Sequence, residues 1–244
     1  MNGMLAVLWR EYLFFKRRIW SITASSLVSP LLYLIAFGWG LGRAVTMDGV
    51  QYIDFIVPGI LALSTMNASF NSVATPLSIA RLYDKTLEEY LVSPITLFSF
   101  AAGIFLAGAL RGMYVGLLLL VVAFLFGAKF KLSLAFITLA LLNCLVFASL
   151  GFLVALKIQS HPDMARFNSF VITPMIFLGG TFFSPENTSP LLQFFIKLLP
   201  LTPASQGLRS LALGQEFAWY APTLQLIYLC LFIALGLYAY RKVE

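Results

Sequence analysis

An all-α polytopic membrane protein is predicted on three counts. Of the 244 residues, 60% are hydrophobic and only 11% charged, whereas a soluble domain is nearer half apolar and a quarter charged. The mean hydropathy is +0.91. The apolar residues gather into runs close to the roughly 20 residues a helix needs to cross the hydrocarbon core. An ordinary soluble enzyme is excluded. So are a disordered chain, a coiled coil and collagen, because apolar residues abound, no heptad repeats, and the 17 glycines follow no G-X-Y period.

Residues 5–19 come first. Leu5, Leu8, Trp9, Tyr12, Phe15 and Ile19 recur at helical spacing beside the charged Arg10, Glu11, Lys16, Arg17 and Arg18, which predicts an N-terminal interfacial helix on the membrane surface. Six apolar runs follow, at 19–41, 55–80, 97–126, 133–156, 167–183 and 220–240, and each predicts a transmembrane helix. Between the fifth and sixth, residues 191–199 are strongly apolar yet too short to span. Pro185, Pro190, Pro200 and Pro203 punctuate this segment, predicting short re-entrant or interfacial helices on the outer face. The first basic cluster comes late for a signal peptide and no A-x-A-like site follows, so the N-terminus is expected to be retained. No repeat or linker divides the chain, and one membrane domain over residues 1–244 is expected.

Charge sets the orientation. The net charge of +6 comes from basic residues at the ends of apolar runs, so membrane topology accounts for it and nucleic acid is not needed. With six spans and the termini inside, the inner segments hold Arg10, Lys16, Arg17, Arg18, Arg81, Lys85, Lys157, Arg166, Arg241 and Lys242. The outer ones hold only Arg43, Lys129, Lys131, Lys197 and Arg209. Both termini are therefore predicted to be cytoplasmic. Cys144 and Cys230 lie within apolar runs and read as free thiols.

Several chemistries are missing. The chain has no G-x-x-x-x-G-K-[ST] loop, no H-E-x-x-H metal motif and no G-x-S-x-G elbow, so no catalytic residue, metal site or cofactor is assigned to it. His161, beside Pro162 and Asp163, reads as a satisfied loop residue. Asp48, Asp54, Asp84, Glu88, Glu89, Asp163, Glu186 and Glu216 fall in loops or at span ends. None is placed to bind a coupling ion at mid-membrane, and a partner is the expected energy source.

Polar features remain inside the spans. Arg111 is flanked by Gly108, Gly112 and Gly116, a doubled G-x-x-x-G that lets another helix approach closely. It reads either as a counter-charge for an anionic substrate or as a snorkelling, structural cation. Asn67, Asn71 and Thr75, four apart on the second span, line a pathway or hydrogen-bond to a neighbouring helix. Pro58 and Pro76, and Pro174 with Gly179 and Gly180, are candidate bends for gating. The segment RLYDKTLEEYLVSP at 81–94 places Tyr83, Leu87, Tyr90 and Leu91 on one helical face, suited either to docking on a soluble partner or to lying on the membrane.

LWREYLFFKRR, SPLLYLIAFGWGLG, RLYDKTLEEYLVSP, the stretch FVITPMIFLGGTFFSPENTSPLLQFFIKLLPLTPASQGLRSLALG and a short C-terminal tail together resemble the permease subunits of ABC-type-2 exporters, over nearly the whole chain. Within that family the likeness is to nodulation-type lipo-oligosaccharide and drug-resistance permeases. The resemblance implies export, in a bacterial plasma membrane, of an amphiphilic cargo: lipid-linked material, a lipo-oligosaccharide or a hydrophobic drug. It implies a second permease copy, as a homodimer, and two copies of an ATP-binding cassette subunit that bind ATP and Mg. By the same resemblance, 81–94 is a cytoplasmic coupling helix, with Lys85, Thr86, Leu87, Glu88, Glu89 and Tyr90 engaging the ATPase and Glu11 and 16–18 a second contact. Pro174, Gly179, Gly180 and Glu186 are candidates for gating or for the outer re-entrant segment. Two alternatives stand beside this reading. A membrane enzyme or assembly factor acting on lipid-linked substrate would use the polar second span and Arg111, but no acid and base are paired there. An ion-coupled carrier would need the buried acids the spans lack.

Overall fold

The computed structural model describes residues 2–41, 46–47, 50–86, 95–185 and 188–242. Helix α1, Asn2–Tyr33, passes into a π-helical segment, Leu34–Leu41. A two-residue antiparallel pair, Thr46–Met47 with Val50–Gln51, leads to α2, Tyr52–Leu82. Helices α3, Leu97–Leu125, and α4, Leu134–Lys157, follow. A broken helical path then comprises α5, His161–Phe167, a π-helical turn, Asn168–Ile172, and α6, Thr173–Leu178. Two short helices, α7, Pro190–Lys197, and α8, Leu201–Leu213, precede α9, Tyr220–Arg241. The described residues are thus helical apart from one small strand pair and the connecting turns, and the long apolar helices make this a polytopic membrane protein.

Five helices among the described residues are long and apolar enough to span: Gly3–Phe37, Tyr52–Leu82, Leu97–Leu125, Leu134–Lys157 and Tyr220–Arg241. The run 167–183, read from sequence as a further span, is not one of them. Pro174 lies in the first turn of α6. Without an N–H, and with its ring against the carbonyl four residues back, proline breaks the α register, and the wider π turn takes up the mismatch.

The second departure is α1. An interfacial helix followed by a separate first span was the expectation; a single rod runs from Asn2 through the basic residues 16–18 to Tyr33. Charge does not break a helix, and no proline occurs before Pro30. Contacts with α3 hold the rod along its length. A Cβ on Gly3 would meet Ser99 at 3.6 Å, and one on Gly103 would meet Val7 at 2.8 Å. The Phe15 ring packs edge-on against Tyr114 at 5.1 Å, and Thr23 Oγ1 shares a 2.7 Å hydrogen bond with the Tyr114 hydroxyl. Helices α1 and α3 therefore run parallel.

The core lies at α2 and α4, whose most apolar stretches are 83% and 78% buried against 11% for α1 and 22% for α9. Phe55, Phe70, Phe136 and Phe147 are fully enclosed there. Lipid is as apolar as leucine, so close packing holds such helices together. The glycine ridge of α3 supplies that closeness as its spacing predicts. A Cβ on Gly108 would meet Val73 at 2.6 Å, one on Gly116 would meet Thr65 at 2.9 Å, and one on Gly112 would collide with Ser69 Oγ. Asn143 of α4, wholly buried, donates to Ala62 O and to Thr65 Oγ1 of α2, each at 3.0 Å.

The segment between the broken path and α9 forms two short helices, as its prolines predict. Side chains brace the backbone between and around them: Thr202 donates to Ile196 O at 2.5 Å, Gln225 to Pro200 O at 2.6 Å and Tyr228 to Leu198 O at 2.7 Å.

Candidate functional site

Ser21, Ser25 and Ser29 recur every fourth residue on α1, as Asn67, Asn71 and Thr75 do on α2. A four-residue step keeps side chains on one helix face, and the two polar faces meet across a cavity of about 910 Å³. Ser64 also lines it, with an Oγ that is buried and has no hydrogen-bond partner among the described residues. Asn71 donates to Asn67 O of its own helix at 3.0 Å. At this level of α2 the hydrogen bonds to α4 are those of Asn143 with Ala62 and Thr65 instead. The stripe at 67, 71 and 75 thus faces space and leaves the joining of helices to its neighbours.

Arg111 of α3 lines the same cavity. Its side chain is 9% exposed, and Nη2 donates to Glu11 Oε2 at 2.7 Å and to Glu11 O at 3.1 Å. Nη1 donates to Ser72 O at 3.3 Å, and the guanidinium carbon lies 5.5 Å from the centre of the Phe14 ring. Burial strengthens such a pair because little water competes for it. Arg10 stands 3.7 Å from the other oxygen of Glu11. Glu11, expected by resemblance to face an ATPase, here turns its carboxylate to α3.

At one end of the cavity α2 gives way to the segment 81–94. Arg81 donates to Ala155 O of α4 at 2.9 Å, fixing where the helix stops. Lys85 has a left-handed backbone, φ 54, and is exposed, so the chain turns sharply there. Asp84 and Thr86 line the cavity. Leu87, Glu88, Glu89 and Tyr90 lie outside the described residues. His161 opens α5 with its ring 5.9 Å from Tyr83. Beside it, the Ser160 hydroxyl donates to Asp163 at 2.6 Å and holds that carboxyl below its ordinary range, with Arg166 adding to the effect.

Away from the cavity, Arg209 does what no sequence reading assigned to it. Counted there as a loop cation, it is 6% exposed in α8 and donates to Phe55 O at 3.0 Å, Gly180 O at 2.7 Å and Thr181 O at 3.1 Å. Its guanidinium carbon lies 3.8 Å from the centre of the Phe55 ring. Gly179, Gly180 and the end of α6 are tied through it to α2. Gly180 has φ +71, Ser205 donates to Gly179 O at 2.5 Å, and a Cβ on Gly59 would meet Thr181 O at 2.6 Å. The signal was present as an arginine among Ser205, Gly207 and Ser210 in an apolar stretch. Glu186 lies outside the described residues.

The geometry brings Asn67, Asn71, Thr75 and Arg111 to one cavity, places Lys85 and Thr86 at its end, and sets Pro174, Gly179 and Gly180 apart. Among the described residues no three His, Cys, Asp or Glu are grouped to hold a metal ion.

Residues 3–213 match the sequence pattern of the ABC-2 type transporter family. The inner membrane transport permease YadH of Escherichia coli K12 is 31% identical over 214 residues, covering 86% of this chain and 83% of that protein. Nodulation protein J of Neorhizobium galegae is 32% identical over 241 residues, covering 96% and 90%. Nodulation protein J of Rhizobium meliloti strain 1021 is 32% identical over 213 residues, covering 86% and 81%.

Proposed function

This chain belongs to the ABC-2 type transporter family, and from that premise we propose that it is the permease subunit of an ATP-driven exporter of an amphiphilic cargo. It is a multi-pass inner-membrane protein of transport type. In our reading the whole chain, 1–244, is one membrane domain with six crossings and both termini in the cytoplasm of a bacterium. The run 167–183, which holds the π-helical turn and α6, counts as the fifth crossing. Helices α7 and α8 then dip into the outer leaflet.

One observation carries the proposal: the polar stripe of α2 and Arg111 of α3 face a single cavity of about 910 Å³ beside α1. A path for a molecule with a polar head and an apolar tail needs this combination of a polar lining and helix walls in lipid. The cargo is lipid-linked material, a lipo-oligosaccharide or a hydrophobic drug. The chain supplies the path and no catalytic group. Two copies stand side by side, and two ATP-binding cassette subunits, carrying ATP and Mg, dock on the cytoplasmic segment 81–94. Lys85, Thr86, Leu87, Glu88, Glu89 and Tyr90 receive the stroke. At the outer end, Pro174, Gly179, Gly180 and Glu186 form the gate.

A mild-detergent pull-down of the tagged chain tests the motor. A co-eluting soluble subunit with G-x-x-x-x-G-K-[ST] is expected in stoichiometric amount, and its absence after crosslinking through 81–94 overturns the proposal. With that complex in vesicles, a bulky label on Asn71→Cys is expected to stop ATP-dependent cargo movement, while one on the outward-facing Leu110→Cys, 63% exposed, leaves it intact.

A further inference from the structure

An ion pair forms the wall between two cavities. Glu11 lines the smaller, of about 420 Å³, and Arg111 the larger, of about 910 Å³; Arg10, Phe14 and Ser72 border both. Glu11 offers one oxygen to Arg111 at 2.7 Å and the other to Arg10 at 3.7 Å. One carboxylate therefore stands between two guanidiniums. Arg111 does not depend on that carboxylate for its place, because main-chain oxygens of Ser72 and Glu11 also receive it, at 3.3 and 3.1 Å. Along the larger cavity the polar lining is of hydroxyls and amides, Ser25, Asn67 and Asn71 among them, and the described acid on its lining, Asp84, lies at the end of α2. Arg18 adds a further positive charge from α1. Asp84 apart, an anion entering here meets no described carboxylate on the lining before it reaches Arg111.

We propose that Arg111 is a recognition site for the anionic headgroup of an amphiphile, a phosphate above all, and that Glu11 is a resident substitute that occupies the guanidinium until such a headgroup arrives. A guanidinium fork takes two oxygens of a phosphate as it takes those of a carboxylate. When phosphate arrives, Glu11 passes to Arg10, so no charge is left alone. The proposal rests on the larger cavity being the cargo path, but its test does not use transport.

The full chain, in the assembly in which it is extracted, is placed in phosphatidylcholine nanodiscs and titrated with fluorescent dodecyl phosphate and with the matching uncharged dodecanol. Wild type is expected to prefer the phosphate. Glu11→Gln removes the competitor and is expected to tighten phosphate binding by roughly tenfold, as when a competing state is abolished, with dodecanol unchanged. Arg111→Lys is expected to keep the pair's charge while weakening the preference. The exchange Glu11→Arg with Arg111→Glu rebuilds an ion pair in reverse and is expected to restore thermal stability without phosphate preference. Equal binding of the two probes by wild type and Glu11→Gln overturns the proposal, as does an exchanged variant that binds phosphate like wild type. Repeating the titration with phosphatidylglycerol in the discs separates the sources: competition makes a bilayer lipid the occupant, and none leaves a single-chain cargo. If phosphate preference follows these variants while the Asn71 label fails to stop transport, the path assignment fails and the anion site stands.

Discussion

At Gly112 the third helix has nothing to give up. A Cβ there would collide with Ser69 Oγ and come within 2.8 Å of Cys144 Sγ and 3.1 Å of Thr65 O. The last of these is backbone, and two helices would have to separate to admit a methyl group. Gly112→Ala is therefore expected to destabilise the folded chain by about 1–3 kcal/mol, the usual range for an overpacked core. Leu110→Ala, on the outward face of the same helix, is expected to stay within about 0.5 kcal/mol of wild type. Unfolding midpoints in nanodiscs measure both, and equal midpoints for the two variants would refute the packing account.

Among the elements, α1 carries the sharpest expectation. If residues 2–33 form one straight helix, spin labels at Ala6 and Ala24 should lie about 27 Å apart at 1.5 Å per residue. A helix bent at the basic residues 16–18 brings the labels closer, and a short distance from pulsed dipolar spectroscopy would restore the separate interfacial helix. The same element shows why some of the fold is legible and some is not. Lipid demands long apolar runs, so α2, α3, α4 and α9 announce themselves within a few residues of their ends. A charged cluster looks like the end of a span, yet helix geometry has no term for it, and α1 continues through. The stripe at Asn67, Asn71 and Thr75 is legible because its period is that of the helix. The pairing of Arg111 with Glu11 is not, because the partners lie 100 positions apart and no local spacing relates them. Arg209 is hidden for the same reason, with Phe55 154 positions away.

At the scale of the whole molecule, α1 and the broken path form one flank. The Phe182 ring joins them, 5.4 Å from Tyr33 and 6.1 Å from Phe177. Leu32, Phe170 and Phe177 are 59%, 80% and 55% exposed. In a bilayer an apolar exterior is normal, so exposure by itself selects no partner; the proposed permease pair does. With Cys144 and Cys230 replaced by Ser, cysteines at Leu32 or Phe170 are expected to link two copies on mild oxidation. A cysteine at Ile227, 60% exposed on α9, is expected to leave the chain monomeric on a denaturing gel. The reverse pattern would move the pair to the opposite flank.

The two buried arginines also bear on how the chain enters a membrane while it is being made. The oxygens that receive Arg111 belong to residues 11 and 72, and those that receive Arg209 to residues 55, 180 and 181. In each of these bonds the acceptor precedes the arginine in the chain. Synthesis runs from the N-terminus, so each guanidinium leaves the ribosome after its acceptors. A cation placed alone in hydrocarbon is costly, and this order allows each one to be met on arrival.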